Sequence, residues 1–169
     1  PEQAVALSGE SSRTTHGAQA CVDACRYFGG LLAGAVRGES KEAVLADAYH
    51  PVRAVWKDGE LHSAIQDVAA GSYRRKPPEA IKGTGYVVDC LEAALWAFWS
   101  SSSFRDGALL AVNLGDDADT TGAVYGQLAG AFYGLEGIPT EWVDRITMKQ
   151  HILDTGDALH ALSVALAPK

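Results

Sequence analysis

Apolar residues recur at helical spacing along almost the whole chain, and no run alternates apolar with polar residues between turn signals. A period near 3.6 gathers such residues on one side of a helix, whereas a half-buried strand needs a period of 2. Cys21, Cys25, Phe28, Leu32 and Ala35 form one stripe between residues 17 and 36. Ser40 is placed to cap a short helix carrying Val44 and Ala48, which Pro51 ends. Leu61, Ile65 and Val68 share a face over residues 60–69, and Val87, Val88, Leu91, Ala94, Leu95 and Phe98 mark a clear helix. The serines of "SSSF" break the chain and cap a helix with Phe104 and Val112. Thr140 can cap a helix carrying Trp142 and Ile146, and a final helix directs Leu159, Leu162 and Leu166 toward a core. The expected class is all-α. With no internal repeat and no shift in composition, residues 1–169 read as one unit.

Composition narrows the function classes. The chain has 169 residues, 47% of them apolar and 21% charged, which fits a globular protein. A net charge of −7 argues against a nucleic-acid partner. No apolar stretch approaches the roughly 18 residues of a membrane span, so no membrane partner is expected. The start, "PEQAVALSGESS", lacks the basic and apolar regions of a signal peptide. Three cysteines, Cys21, Cys25 and Cys90, sit in apolar segments and read as reduced core residues of a cytoplasmic protein rather than metal or disulfide partners. The only methionine is Met148, so Pro1 follows no initiator and the fold is expected to begin upstream. The segment "YRRKPPEAIKGTGY" is loop by composition, and its four basic residues read as a solvated face.

The stretch with the most chemistry is "NLGDDADTTGAVYGQLAGAFYG", residues 113–134. Inside a helix, Asp117 and Asp119 would point about 200° apart and share nothing. At a helix mouth the chain is irregular and both can converge, with Asp119 or Thr120 as the cap. A helix N-terminus favours negative charge by only about 0.3–1 kcal/mol per group, while Asp116, Asp117 and Asp119 repel one another. A hard cation such as Mg²⁺, Mn²⁺ or Ca²⁺ would resolve that conflict, and Thr120 adds a hydroxyl. A calcium EF-hand does not fit, because Leu128 stands where its bidentate glutamate belongs. The rival reading is a capped helix whose extra aspartates are simply solvated. Gly122, Gly126, Gly130 and Gly134 then fall on one face, at about 1 kcal/mol each relative to alanine. Close approach of another backbone would offset that cost, making this the tightly packed central helix.

That stretch closely resembles the C-terminal metal-binding signature of the ADP-ribosylglycohydrolase family, including the dinitrogenase reductase-activating glycohydrolases. "SSRTTH" at 11–16 and "GTGYVVDCLEAALWAF" at 83–98 resemble family segments in the same order, so the likeness covers most of the chain. The resemblance implies a compact orthogonal bundle of many helices around two Mg²⁺ or Mn²⁺ ions. It places Asp117, Asp119 and Thr120 on the C-terminal metal ligands, with Asp116 behind them. Thr15 and His16 match a motif beside the substrate, and Gly83, Thr84, Gly85 and Tyr86 match a loop lining the ADP-ribose cleft. His16 could instead cap the first helix, the glycines could serve only as turns, and Tyr86 could be a core aromatic. The remaining histidines, His50, His62, His151 and His160, read as surface or structural.

The family's N-terminal "GDxxG"-like and "TDDT"-like segments are absent, so the chain is expected to be the C-terminal part of one such domain. The catalytic carboxylate is expected in the missing half. The resemblance thus implies a metal-dependent hydrolase that removes ADP-ribose from modified substrates, with ADP-ribose or an ADP-ribosylated protein as partner. A monomer is expected when complete, and little activity from this chain alone. A non-catalytic ADP-ribose or metal-binding module, or a structural relative of the crystallin kind, are the alternatives.

Overall fold

The computed structural model describes residues 1–57 and 59–166. Helices dominate, as the periodicity requires. In chain order they are α1 (Glu2–Arg13), α2 (Gln19–Val36), α3 (Lys41–Val44), α4 (Ser63–Ala69), α5 (Ser72–Arg75), α6 (Val87–Ser100), α7 (Phe104–Val112), α8 (Ala118–Tyr133), α9 (Thr140–Val143) and α10 (Lys149–Ala165). One antiparallel pair, β1 (Tyr49–His50) with β2 (Ala54–Val55), joins α3 to α4. It is too short to leave an alternating signature, and Pro51 sits in its turn rather than at a helix end. The chain forms two compact units, Pro1–Gly137 and Ile138–Lys169. No described helix is long and apolar enough to cross a membrane.

In the first unit the central element is α6. Every residue from Cys90 to Phe98 is buried, and the helix touches α2, α4, α5, α7 and α8. A helix so nearly apolar over its middle turns has little solvent face to offer and must be surrounded. Fully burying Leu91, Leu95 or Phe98 contributes about 1.5–3 kcal/mol each. One charge enters with it. Glu92, 4% exposed, accepts from the Ser72 hydroxyl and from Lys76 Nζ at 2.5 Å. The basic segment is therefore partly structural: Lys76 pins α6, while Arg74 pairs with Asp47 and Arg75 bonds the Ala70 carbonyl at 2.6 Å.

The α2 stripe turns out rotated. Its buried face is Val22, Asp23, Ala24, Tyr27, Leu31 and Ala35, and it leaves Cys21, Cys25, Phe28 and Leu32 half-buried. Burying the larger Tyr27 and Leu31 decides the orientation. The buried Asp23 serves as a junction: its carboxylate accepts from Gln19 at 2.9 Å, Arg26 at 2.7 Å and the His62 backbone N–H at 2.8 Å. Burial alone would raise its carboxyl; these donors outweigh that and hold it below the usual aspartate value. Helix starts are read correctly at Ser40 and Ser103, whose hydroxyls accept from Ala43 N and Asp106 N. His50 is buried and accepts from Val52 N and Arg53 N, and His62 caps α4, so both histidines are structural.

The glycine face is a clear departure. The helix α8 buries Thr121, Tyr125, Leu128 and Ala129, one step round from its glycines, because the large apolar side chains lie there. A Cβ at Gly122 would meet Val112 Cγ1 at 2.9 Å, but one at Gly126 or Gly130 would meet nothing within 4 Å. Gly134 ends the helix at φ +70°, a position that does require glycine. In the second unit no residue of α9 or α10 is buried, and Leu159, Leu162 and Leu166 are exposed rather than in a core. A unit of two helices has no further layer to close over an apolar face. Thr140 lies inside α9 with Pro139 as its cap.

The two kinds of glycine separate by substitution. Gly126→Ala should raise stability by about 0.5–1 kcal/mol, since it adds helix propensity in open space. Gly107→Ala should lower it by about 1–3 kcal/mol, because its Cβ would meet Ser101 Oγ at 2.5 Å and the ring of the buried Tyr125 at 2.6 Å. Thermal melting checks both, and a fall for Gly126→Ala would mean that face is packed.

Candidate functional site

The acidic loop is shaped by left-handed backbone. Gly115 at φ +75° and Asp116 at φ +54° turn the chain out of α7, a conformation glycine enters freely and aspartate tolerates. Asp117 then becomes the N-cap of α8, so Asp119 and Thr120 stand in the first turn instead of capping it. The start is fixed two residues early by a contact the sequence does not advertise. Asp117 N donates to the Gly83 carbonyl at 2.8 Å. The Asp117 carbonyl in turn accepts from Thr121 N at 3.0 Å and Thr121 Oγ1 at 3.1 Å.

With its backbone so engaged, Asp117 caps without its carboxylate. Among the described residues the carboxylates of Asp116, Asp117 and Asp119 have no hydrogen-bond or ion-pair partner. Asp117 Oδ2 lies where a Cβ at Gly85 would meet it at 2.9 Å, so the missing side chain at Gly85 leaves the carboxylate its room. Gly83 is tighter still: a Cβ there would meet Leu114 Cβ at 3.1 Å, the Gly115 carbonyl at 3.2 Å and Thr121 Oγ1 at 3.2 Å. Thr84 locks the loop between these glycines, donating to Asp89 Oδ2 at 3.0 Å and accepting from Tyr86 N at 3.2 Å.

Two carboxylates and a hydroxyl are the hard oxygen donors that Mg²⁺ or Mn²⁺ takes. Asp117, Asp119 and Thr120 fit one side of such a site by donor chemistry. They fall short of the roughly six oxygens an octahedral ion needs. Among the described residues no three His, Cys, Asp or Glu side chains are grouped to hold a metal.

Beside this loop opens a cleft of about 720 Å³, within the size range of small-molecule sites. It brings together Thr15, His16, Gly85, Tyr86 and Thr120, which are far apart in sequence. Thr15 and His16 reach it from a turn after α1 that the buried Ser12 organises. Ser12 accepts from His16 N at 2.7 Å through its carbonyl and donates its hydroxyl to the His16 carbonyl at 2.9 Å. His16 Nδ1 lies 3.0 Å from Thr15 Oγ1. Tyr86 is 54% exposed at the wall, not a core aromatic. Gly83, Thr84, Asp117 and Asp119 are not on that wall; Gly83 and Thr84 support it.

The sequence reading missed Ser12, Phe28 and Val124 and placed Cys21 and Cys25 in the core rather than on this wall, while Cys90 is buried as expected and also borders the cleft. The helical period found the α2 residues but could not say which neighbouring face is buried. Burial pushes the Cys90 thiol up; the Thr121 hydroxyl opposes this and the Asp117 charge adds to it.

The first unit is thus a bundle of helices with an acidic helix mouth beside a cleft. The chain belongs to the ADP-ribosylglycohydrolase family, whose profile matches residues 1–167. It is 44% identical over 141 residues to ADP-ribosylarginine hydrolase Tri1 of Pseudomonas putida (strain GB-1), covering 83% of this chain and 36% of that protein. The protein of the same name from Serratia proteamaculans (strain 568) is 35% identical over 158 residues, 94% of this chain and 41% of its own length. ADP-ribosyl-[dinitrogen reductase] glycohydrolase of Rhodospirillum rubrum is 40% identical over 89 residues, 50% of this chain and 30% of that protein. A solved chain described as an ADP-ribosylglycohydrolase-related protein complex aligns with a TM-score of 0.76 at 44% identity, over 87% of this chain and 49% of its own. The chain therefore spans less than half the length of each of these relatives.

The two glycines of the cleft loop should behave differently. Gly83→Ala presses on backbone and should cost about 1–3 kcal/mol of stability. Gly85→Ala meets only the end of a carboxylate and should change stability by less than about 0.5 kcal/mol. It should nevertheless weaken Mn²⁺ binding by turning Asp117 aside. Melting curves and Mn²⁺ titration by electron paramagnetic resonance measure both effects; equal losses of stability would contradict this assignment.

Proposed function

We propose that this chain supplies one wall of a metal-dependent hydrolase site that releases ADP-ribose from ADP-ribosylated arginine side chains. The observation that carries this reading is the meeting of Thr15, His16, Gly85, Tyr86 and Thr120 in one cleft, beside uncommitted carboxylates held by the Asp117–Gly83 bond. Two relatives named ADP-ribosylarginine hydrolase favour an N-glycosidic bond to arginine as the target.

Asp117, Asp119 and Thr120 would hold one side of a Mg²⁺ or Mn²⁺ centre, which supplies positive charge to orient ribose hydroxyls and acidify water. The chain's own residues do the rest of the binding. Tyr86 offers an aromatic face at the cleft wall on which a base can stack. Thr15 and His16 present a hydroxyl and a ring nitrogen to the sugar–phosphate portion. Thr84 holds the loop so that Tyr86 is already placed, which lowers the ordering cost of binding. Hydrolysis at the ribose carbon develops oxocarbenium character and needs a carboxylic acid at the leaving group. That group is assigned to a part of the enzyme outside these residues, so the isolated chain binds but turns over little.

Titration of the chain with ADP-ribose in Mg²⁺ tests this. Binding should be detectable, metal-dependent and reduced about tenfold or more by Asp119→Ala, a loss of about 1.4 kcal/mol. Melting temperature should hardly move, because Asp119 is exposed and caps nothing. Unchanged affinity in Asp119→Ala, or affinity indifferent to metal, would favour a metal-free binding module. Full turnover of an ADP-ribosylarginine peptide by the 169-residue chain would overturn the one-wall reading.

A further inference from the structure

The chain has three cysteines, and all three are free thiols that line the same cleft. Cys21 and Cys25 lie four residues apart on α2, so they stack on one face, and both are half-buried at the cleft wall. Cys90 comes from α6 and is buried at 5% exposure. Nothing proposed above for the site uses a thiol.

We propose that Cys21 and Cys25 form a covalent modification site for small-molecule disulfides, and that the resulting adduct closes the cleft. The step is thiol–disulfide exchange. A cysteine thiolate attacks one sulfur of the small disulfide, a mixed disulfide forms, and the old S–S bond breaks. The leaving thiolate takes the electron pair and collects the proton that the cysteine lost. No other oxidant is needed. The cleft, at about 720 Å³, has room for a tripeptide-sized group.

Geometry decides what happens next. Residues four apart on a helix hold their Cβ atoms about 5–6 Å apart. A disulfide needs about 3.5–4.5 Å between Cβ atoms. Cys25 therefore cannot resolve an adduct on Cys21 without unwinding α2, and the reverse holds too. The mixed disulfide persists, and its added group occupies the cleft. Cys90 is shielded by its burial and reacts last.

The second half of this proposal, closure against ligand, rests on the ADP-ribose reading; the modification itself does not. The test treats the folded chain with oxidised glutathione and follows adducts by intact mass and peptide mapping. Cys21 and Cys25 should react at least about tenfold faster than Cys90, which should match them only after denaturation. The product should be mixed disulfide, reversed by dithiothreitol, and absent from the Cys21→Ala, Cys25→Ala double variant. ADP-ribose should slow the reaction, and the adduct should weaken ADP-ribose binding about tenfold. Equal reaction of Cys90, no adduct on the folded chain, or a Cys21–Cys25 disulfide as product would overturn the modification site while leaving the ADP-ribose reading intact. Adducts on Cys21 and Cys25 with no effect of ADP-ribose, on a chain that does not bind ADP-ribose, would leave the modification site standing and sink the ligand reading. Adducts with ADP-ribose binding unimpaired would overturn closure alone.

Discussion

The helix α6 can occupy only one place. Its run from Cys90 to Phe98 is apolar apart from Glu92, which Lys76 and Ser72 satisfy, so the other helices of the first unit assemble around it. That constraint also sets the position of the loop that feeds it. The loop from Gly83 to Tyr86 leads straight into α6, so it is delivered to the same spot whenever the core forms. The Gly83 carbonyl then meets Asp117 N, and the mouth of α8 is fixed against it. The position of the α8 mouth is thus inherited from a packing requirement several residues away.

Much of this was legible in the chain. The all-α class follows from the apolar period, and the caps at Ser40 and Ser103 from serines ahead of apolar runs. The acidic segment announced itself through three aspartates within four positions, and the loop segment through its likeness to family members. What escaped has a common cause. Period identifies a stripe but not which of two adjacent faces wins burial, so Cys21, Cys25 and Phe28 went to the core when Tyr27 and Leu31 belonged there. The same error gave α8 a buried glycine face, although Tyr125 and Leu128 carry far more apolar area. The Asp117–Gly83 bond joins residues 34 apart in sequence and left no local signal. Exposure of Leu159 and Leu162 was equally invisible, because an amphipathic pattern states a need for burial and not its satisfaction.

The family likeness and the geometry bear on different questions. Identity of 44% and 35% to proteins named ADP-ribosylarginine hydrolase supports the chemistry. The geometry bears on the proposed role of this chain as one wall of such a site. Carboxylates left unpaired at a helix mouth are electrostatically costly unless something positive joins them. Gly85 keeps a space in which Asp117 can face such a partner. Three oxygen donors alone would hold a hard cation weakly.

The central claim is that the α8 mouth and the Gly83–Tyr86 loop act together as one cation-binding corner. Paramagnetic broadening by Mn²⁺ of the chain's backbone amide resonances addresses it directly, because the effect falls steeply with distance. The amides of Asp116 to Thr121 and of Gly83 to Tyr86 should broaden first and together at low Mn²⁺, well before those near Glu10, Asp67 or Glu141. Broadening that begins at those other carboxylates, or that reaches the α8 mouth without touching the Gly83–Tyr86 loop, would contradict the account.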